Sequence, residues 1–402
     1  MSSLAYYVGD DRGLTHAPTS GIHRALLAEL CSAMFQTLPR RDQRRTGAEY
    51  VYGLLAAQGR KSIRNIAALF DDQAAEQRLH HFICSSTWDW APVRHALSRF
   101  VVRAAPPQAW VLRPMIIPKA GEHSVGVDRR FFSDVGHVLN AQQAVGVWAA
   151  SEELRSPVNW RLQLSPAWLD DKERRTRAAI PEGMVSESMG DCAIDAFLEL
   201  AVRCELPTRP VVLDARELDV TDVVGRLRAA RVPLLARVGG NVRLAVTDPV
   251  LTGHHCEVLP AHHIMKAARH VRRPAMWRDG GADSPPRTRL VAGVRVRMPR
   301  EAGPASRQGD LLLLATAGIG EGWPGQLWLT NLTTADPAAL LRLAGLVERV
   351  DQDIADIADH VGVRDFAGRS FCGWHRHITL ASAAHAVAAL THRDSAAVSQ
   401  AS

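Results

Sequence analysis

Val211-Val212-Leu213-Asp214, with the segments Val220–Ala230 and Leu234–Val238 that follow it, is the stretch on which the fold turns. Three apolar residues ending on an acid describe a short buried strand whose last side chain meets a more polar surface. In Val220–Ala230 the residues Val220, Val223, Val224 and Leu227 recur at three- and four-residue spacing, as an amphipathic helix requires. Leu234–Val238 is a second short apolar run. Strand, helix, strand is the rhythm of an α/β core.

Upstream of this unit, Trp110-Val111-Leu112, Val125-Gly126-Val127 and Ala144–Trp148 are apolar runs between turn residues, predicting further strands of one sheet. A helix is predicted from Asp191 to Arg203, after a polar, tryptophan-punctuated insertion around residues 151–190. Downstream, Leu290–Val296, Leu311–Ala315 and Gln326–Leu329 predict more strands, and Ala338–His360 and Ile378–Leu390 two closing helices. Asp279–Arg289, rich in Gly, Pro, Ser and Arg, predicts an exposed loop, and residues 391–402 a small, polar, frayed tail. The domain plan is a flexible arm at 1–18, a helical region at 19–104 and an α/β core at 105–390. Ala105-Pro106-Pro107 marks the boundary between the last two.

In the helical region Ile22, Leu26, Leu27, Leu30 and Met34 keep helical spacing, as do Tyr50, Leu54, Leu55 and Ile63, Ile66, Ala67, Phe70. Ser62 is placed to cap a short helix. Arg40, Arg41, Arg44, Arg45, Arg60, Lys61 and Arg64 make the region basic. Two readings follow from the pattern: helix-turn-helix-like DNA binding, or a bundle used for packing or homodimer formation.

Composition sets the bounds. Of 402 residues, 47% are hydrophobic and 22% charged, ordinary for a folded chain with two or three cores. The net charge of +6 permits a polyanionic partner without requiring one. Only Lys61, Lys119, Lys172 and Lys266 among the 48 basic residues are lysine, a usage that a GC-rich genome also produces. The six scattered cysteines form no CxxC pair and predict reduced thiols. No apolar run reaches about 18 residues, so no membrane span is expected, and the location expected is cytoplasmic. His254-His255-Cys256 and His262-His263 match no closed zinc spacing, so no metal site is assigned to them. No hydrolase triad or phosphate-binding glycine loop is present.

Several stretches, in order along the chain, resemble the insertion-sequence transposases of the DDE superfamily endonuclease type. They are Gly53-Leu54-Leu55 with Arg60-Lys61-Ser62, Ser86-Thr87-Trp88-Asp89 with Val93-Arg94, and Pro118-Lys119 with Gly121 and His123–Val127. Pro157–Leu162, Trp168 and Arg174-Arg175 continue the set, and Gly362-Val363, Arg369-Ser370 and Gly373–Ile378 close it. The resemblance implies a ribonuclease H-like mixed sheet flanked by helices, preceded by an all-helical DNA-binding region, with double-stranded DNA as partner. It also implies three carboxylates holding two divalent ions that activate the attacking oxygen and stabilise the leaving one. Hard ions such as Mg²⁺ take oxygen ligands, which is why carboxylates are needed.

The chain departs from that pattern at the site itself. Where the family has its first aspartate, this sequence has Arg113 and Pro114, and Trp110–Gly121 contains no acid. The second acid aligns with Asp214 and the third with Asp351, while a later family lysine aligns with Ala358. At an effective dielectric of about 20, unit charges 4 Å apart interact by about 4 kcal/mol, so a guanidinium in a metal seat opposes a divalent ion strongly. The expectation is a vestigial site at Asp214 and Asp351 that needs no cofactor. Asp128 is expected to pair with Arg113 or, in the alternative of an active transposase using Mg²⁺, to replace the missing ligand. Arg60, Lys61, Arg64, Lys119 and Arg376 are expected to face DNA, and Arg269, Arg272, Arg273, Arg278, Arg287 and Arg289 either line a groove or solubilise a loop. A third alternative is a scaffold for protein or small-molecule binding, with Met115 and Ile116 lining a pocket beside Arg113.

Overall fold

A computed structural model describes residues 21–132, 136–254, 257–278, 285–299, 309–318 and 320–401. The arm expected at 1–18 and the His255-Cys256 pair lie outside these residues.

Helical periodicity in the first hundred residues becomes five helices: α1 (Gly21–Phe35), α2 (Arg41–Ala56), α3 (Ile63–Ala67), α4 (Ala75–His80) and α5 (Trp90–Ala104). Ser62 caps α3 by accepting a hydrogen bond from the Asn65 amide at 3.1 Å, and Asp89 caps α5 through the Ala91 amide. Gly53 lets α2 meet α3, since a Cβ there would fall 2.2 Å from the Ile66 Cγ2.

Twelve strands form one mixed sheet: β1 (Ala109–Pro118), β2 (Asp128–Phe132), β3 (His137–Ala150), β4 (Arg155–Leu162), β5 (Val211–Asp214), β6 (Leu234–Arg237), β7 (Arg243–Val246), β8 (Val258–Pro260), β9 (Arg273–Arg278), β10 (Pro286–Arg297), β11 (Leu311–Ala317) and β12 (Gln326–Thr330). Their order is β2-β3-β1-β5-β6-β12-β11-β10-β7-β8, with β4 added to β3 and β9 to β10. β1, β5 and β6 run parallel, and the other pairings are antiparallel. The remaining helices are α6 (Pro166–Leu169), α7 (Lys172–Arg177), α8 (Met189–Cys204), α9 (Val220–Ala229), α10 (Ala261–Ala267), α11 (Pro337–Asp353) and α12 (Phe371–Ala401). This is the helix-flanked mixed sheet of the expected ribonuclease H-like class. α12 packs on β4 and on α1, α2 and α5, while α11 packs on β1, β5 and β9.

Four local expectations are corrected. Val125–Val127 is a turn rather than a strand, because Gly126 sits at φ +73°, a conformation that extended strands do not use. Pro286–Arg289, expected in a loop, continues β10 and pairs with β9. The closing helix is far longer than Ile378–Leu390 and runs through the expected tail to Ala401. Its middle is buried on every side, as at Ala381, Ala383, Ala384, Ala386 and Val387, so no 3.6-residue alternation marks its extent. The helix expected to reach His360 ends at Asp353 and passes into a π-type turn over Ile354–Ala358.

Candidate functional site

Three neighbouring parallel strands share one local pattern, three apolar residues and then a charge: Trp110-Val111-Leu112-Arg113, Val211-Val212-Leu213-Asp214 and Leu234-Leu235-Ala236-Arg237. The register pairs Leu112 with Leu213, Leu213 with Ala236 and Asp214 with Arg237. Arg113, Asp214 and Arg237 therefore form a row across the sheet, with adjacent strands about 4.8 Å apart. The apolar triplets are buried. Asp214 and Arg237 end their strands, while Arg113 lies midway along β1.

Asp214 is gripped from two sides. Arg216, two residues on, donates from Nε to Oδ1 at 2.9 Å and from Nη2 to Oδ2 at 2.6 Å, and Arg237 Nη1 lies 3.8 Å from Oδ2. Burial alone would raise the Asp214 pKa, but the Arg216 hydrogen bonds and the two guanidinium charges override it and hold the carboxyl below its usual range. Arg237 itself is shifted down, first by burial and then by the like charge of Arg216, with Arg113 contributing.

α11 brings Asp351 to the same row. Arg113 clamps it with both arms, Nε to Oδ1 and Nη2 to Oδ2, the second at 3.1 Å. The next acid of that helix, Asp353, is held in the same way by Arg155, with Nη2 2.7 Å from Oδ1. Asp214 and Asp351 are each closed by guanidinium, the first by Arg216 and Arg237 and the second by Arg113.

The expected partner of Arg113 is corrected. β3 separates β2 from β1, and Asp128 lies level with Ala141 while Arg113 lies level with Gly146. Asp128 instead accepts a hydrogen bond from the Ser165 hydroxyl at 3.0 Å. It neither pairs with Arg113 nor joins Asp214 and Asp351 as a third ligand. These residues do not fit a pair of divalent ions. Both carboxylates spend their lone pairs on arginine, the third corner is a cation, and among the described residues no group of three His, Cys, Asp or Glu has metal-holding geometry.

Three of the residues expected to face DNA turn inward. Lys61 is buried and its ammonium donates to the Ala57 carbonyl. Lys119 caps the Arg364 and Phe366 carbonyls at 3.0 and 2.6 Å, and burial pulls its pKa down to about 8. Arg376 is buried and binds the carbonyls of Trp88 and Ile83. A charged group surrounded by carbonyl oxygens is a structural tie and is closed to phosphate. Arg60 and Arg64 remain exposed.

Other side chains that carry the family resemblance form a buried polar network under α12. Arg94 donates to Thr379, Asn159, the Trp160 carbonyl and His375. The His377 Nε2 faces the Gly362 carbonyl at 2.9 Å, so Nε2 carries the proton and Nδ1 accepts from the Tyr50 hydroxyl at 2.9 Å. The pocket imagined beside Met115 and Ile116 does not correspond to either of two clefts elsewhere. One, of about 200 Å³, lies among Tyr50, Lys61, Asp365 and His377. The other, of about 290 Å³, lies among His123, Trp168, Arg174 and Arg369. Met115 is buried in the sheet.

Sequence reasoning found Arg113, Asp214 and Asp351 but missed Arg216, Arg237 and the Arg155–Asp353 pair. The repeated apolar-triplet-plus-charge pattern was the available signal for Arg237, because β5 and β6, parallel and each four residues long, end level with each other.

The family model described as DDE superfamily endonuclease matches residues 33–283. A search of functionally curated proteins finds no match. Among solved structures, a cryo-EM structure of the piggyBac transposase synaptic complex with hairpin DNA is similar at 10% identity and a TM-score of 0.38, covering 98% of this chain and 75% of that one.

Proposed function

Because the chain belongs to the DDE superfamily endonucleases, we propose that it is a transposase-derived protein that grips double-stranded DNA without cutting it. The observation that carries this reading is the Arg113–Asp214–Arg237 row with Asp351 clamped by Arg113. A site built to hold two cations has become one that supplies its own. Removing a ligand and adding a charge together cost several kcal/mol of transition-state stabilisation, and about 5 kcal/mol is a few-thousand-fold in rate. Retained folding with lost scission favours a role in occupying DNA, and regulation of transcription is the use of such occupancy that we assign.

The test has two arms. In a mobility-shift assay the full chain binds duplex DNA, including the region upstream of its own gene, with affinity that falls as salt rises. In a nicking assay with Mg²⁺ or Mn²⁺ it leaves supercoiled DNA intact. Metal-dependent nicking that vanishes in Asp214→Ala overturns the reading of inactivity, and absence of salt-sensitive binding to any duplex overturns the reading of a DNA grip.

A further inference from the structure

The chain's positive charge is not spread over its surface. Residues 261–297 contain nine of the 48 basic residues and two of the 42 acidic ones, a net +7, so the other 365 residues sum to −1. Its described residues form α10, a short 3₁₀ turn and the β9–β10 ribbon.

Strand geometry sorts these charges. Directly paired residues of antiparallel strands point to the same face, and alternate residues along one strand do too. The register sets Arg287 opposite Trp277, Arg289 opposite Ala275 and Val291 opposite Arg273. Arg273, Arg287, Arg289, Arg295 and Arg297 therefore share one face of the ribbon. At about 3.3 Å per residue, Arg287 to Arg297 spans roughly 33 Å, close to one turn of B-form duplex. β11 pairs with β10 only from Leu290 onward, so Arg287 and Arg289 stand on the part of the ribbon that projects beyond the main sheet.

Acids temper this face, and the Asp248 carboxylate accepts from the Arg295 amide at 2.9 Å. Asp310 binds Arg297 at 2.7 Å, and Glu321 lies 3.9 Å from Arg289. Arg273 and Arg295 are exposed, and no ion pair joins either among the described residues. The ribbon also borders the site, since α11, which carries Asp351, packs against β9 as well as β1 and β5.

We infer that the arginine face of the β9–β10 ribbon is a clamp for the phosphate backbone of duplex DNA. This rests on the DNA-binding reading above and names the surface that performs it. Its chemistry is sequence-independent: guanidinium groups neutralise phosphates and release condensed counterions, which makes affinity steeply salt-dependent. Arginine suits the task because its planar fork meets two phosphate oxygens at once.

The experiment is fluorescence anisotropy of the full-length chain with a labelled duplex of about three helical turns, titrated across NaCl concentrations. Arg273→Gln/Arg295→Gln is compared with a matched pair on the opposite end of the sheet, Arg129→Gln/Arg130→Gln on β2. The ribbon variant should show a salt slope shallower by about two, with roughly 30-fold weaker binding at 0.15 M salt, the counterion-release factor for two phosphates. Loss should be equal for unrelated duplex sequences, and the β2 variant should match wild type. Wild-type binding that survives unchanged in the ribbon variant, or equal loss in both variants, overturns the clamp and leaves the DNA-binding reading standing. Failure of wild type to bind any duplex removes both. Matching thermal melts of wild type and variants exclude misfolding as the cause.

Discussion

Two arginine neighbourhoods in this molecule are built on opposite terms. Arg94 is 4% exposed and makes five hydrogen bonds to β4 and α12, none to a carboxylate. Arg113 keeps 30% of its side chain in solvent and is clamped on Asp351, which keeps 41%. In the first neighbourhood loss of the guanidinium would strand buried acceptors such as the Asn159 side-chain oxygen. In the second, water would take over. Most residues that make the chain resemble its family, among them Arg94, Asn159, Trp160, His375 and His377, belong to the first kind. The row of Arg113, Asp214 and Arg237 belongs to the second. Family likeness here records the demands of packing, while the rim of the sheet was free to change its chemistry.

The contrast is broken most directly at its buried end. Arg94→Ala should destabilise the fold by about 3–5 kcal/mol, because several buried acceptors lose their donor at once. Urea unfolding measures this, and a loss under about 1 kcal/mol would erase the distinction. Acid should strike the same region next. Burial holds His377 neutral and lowers its pKa from 6.5 to about 4. The unfolded chain binds the proton more readily, so this contribution is fully present above pH 6.5 and is lost as pH falls from there toward 4. The change is about 3 kcal/mol for this group. His377→Gln should flatten that share of the slope of melting temperature against pH. Tyr50→Phe, which removes only the hydroxyl donating to the His377 Nδ1, should cost about 1–2 kcal/mol in the same unfolding measurement. Arg113→Ala should be the mildest, changing stability by less than about 1 kcal/mol, as for other half-exposed ion pairs. A larger loss would show that the row is a structural keystone after all.

How far the fold could be read in advance follows the same division. Val211–Leu213 announces itself as a short, wholly apolar run ended by an acid, and an amphipathic helix such as Val220–Ala229 does so because one side meets water. The full length of α12 was hidden because its centre meets water nowhere. Gly126 was hidden by a local backbone conformation that hydrophobic pattern does not encode. At the site, the lack of an acid around Arg113 was legible, since Trp110–Gly121 contains none. The partner of Arg113 was not. Choosing Asp351 over Asp128 needs the strand order, which places β3 between Asp128 on β2 and Arg113 on β1. The inward turn of Lys119 and Arg376 was equally unreadable, because the carbonyls that capture them come from segments distant in sequence.

α12 has a consequence for how the gene can be cut. The helix touches the N-terminal helices on one side and β4 on the other, so each half of the protein borrows part of its interior from Phe371–Ala401. A nonsense mutation ahead of Phe371 would therefore not release a smaller working module. It would leave both halves with a raw apolar wound, and proteases would clear the remnant.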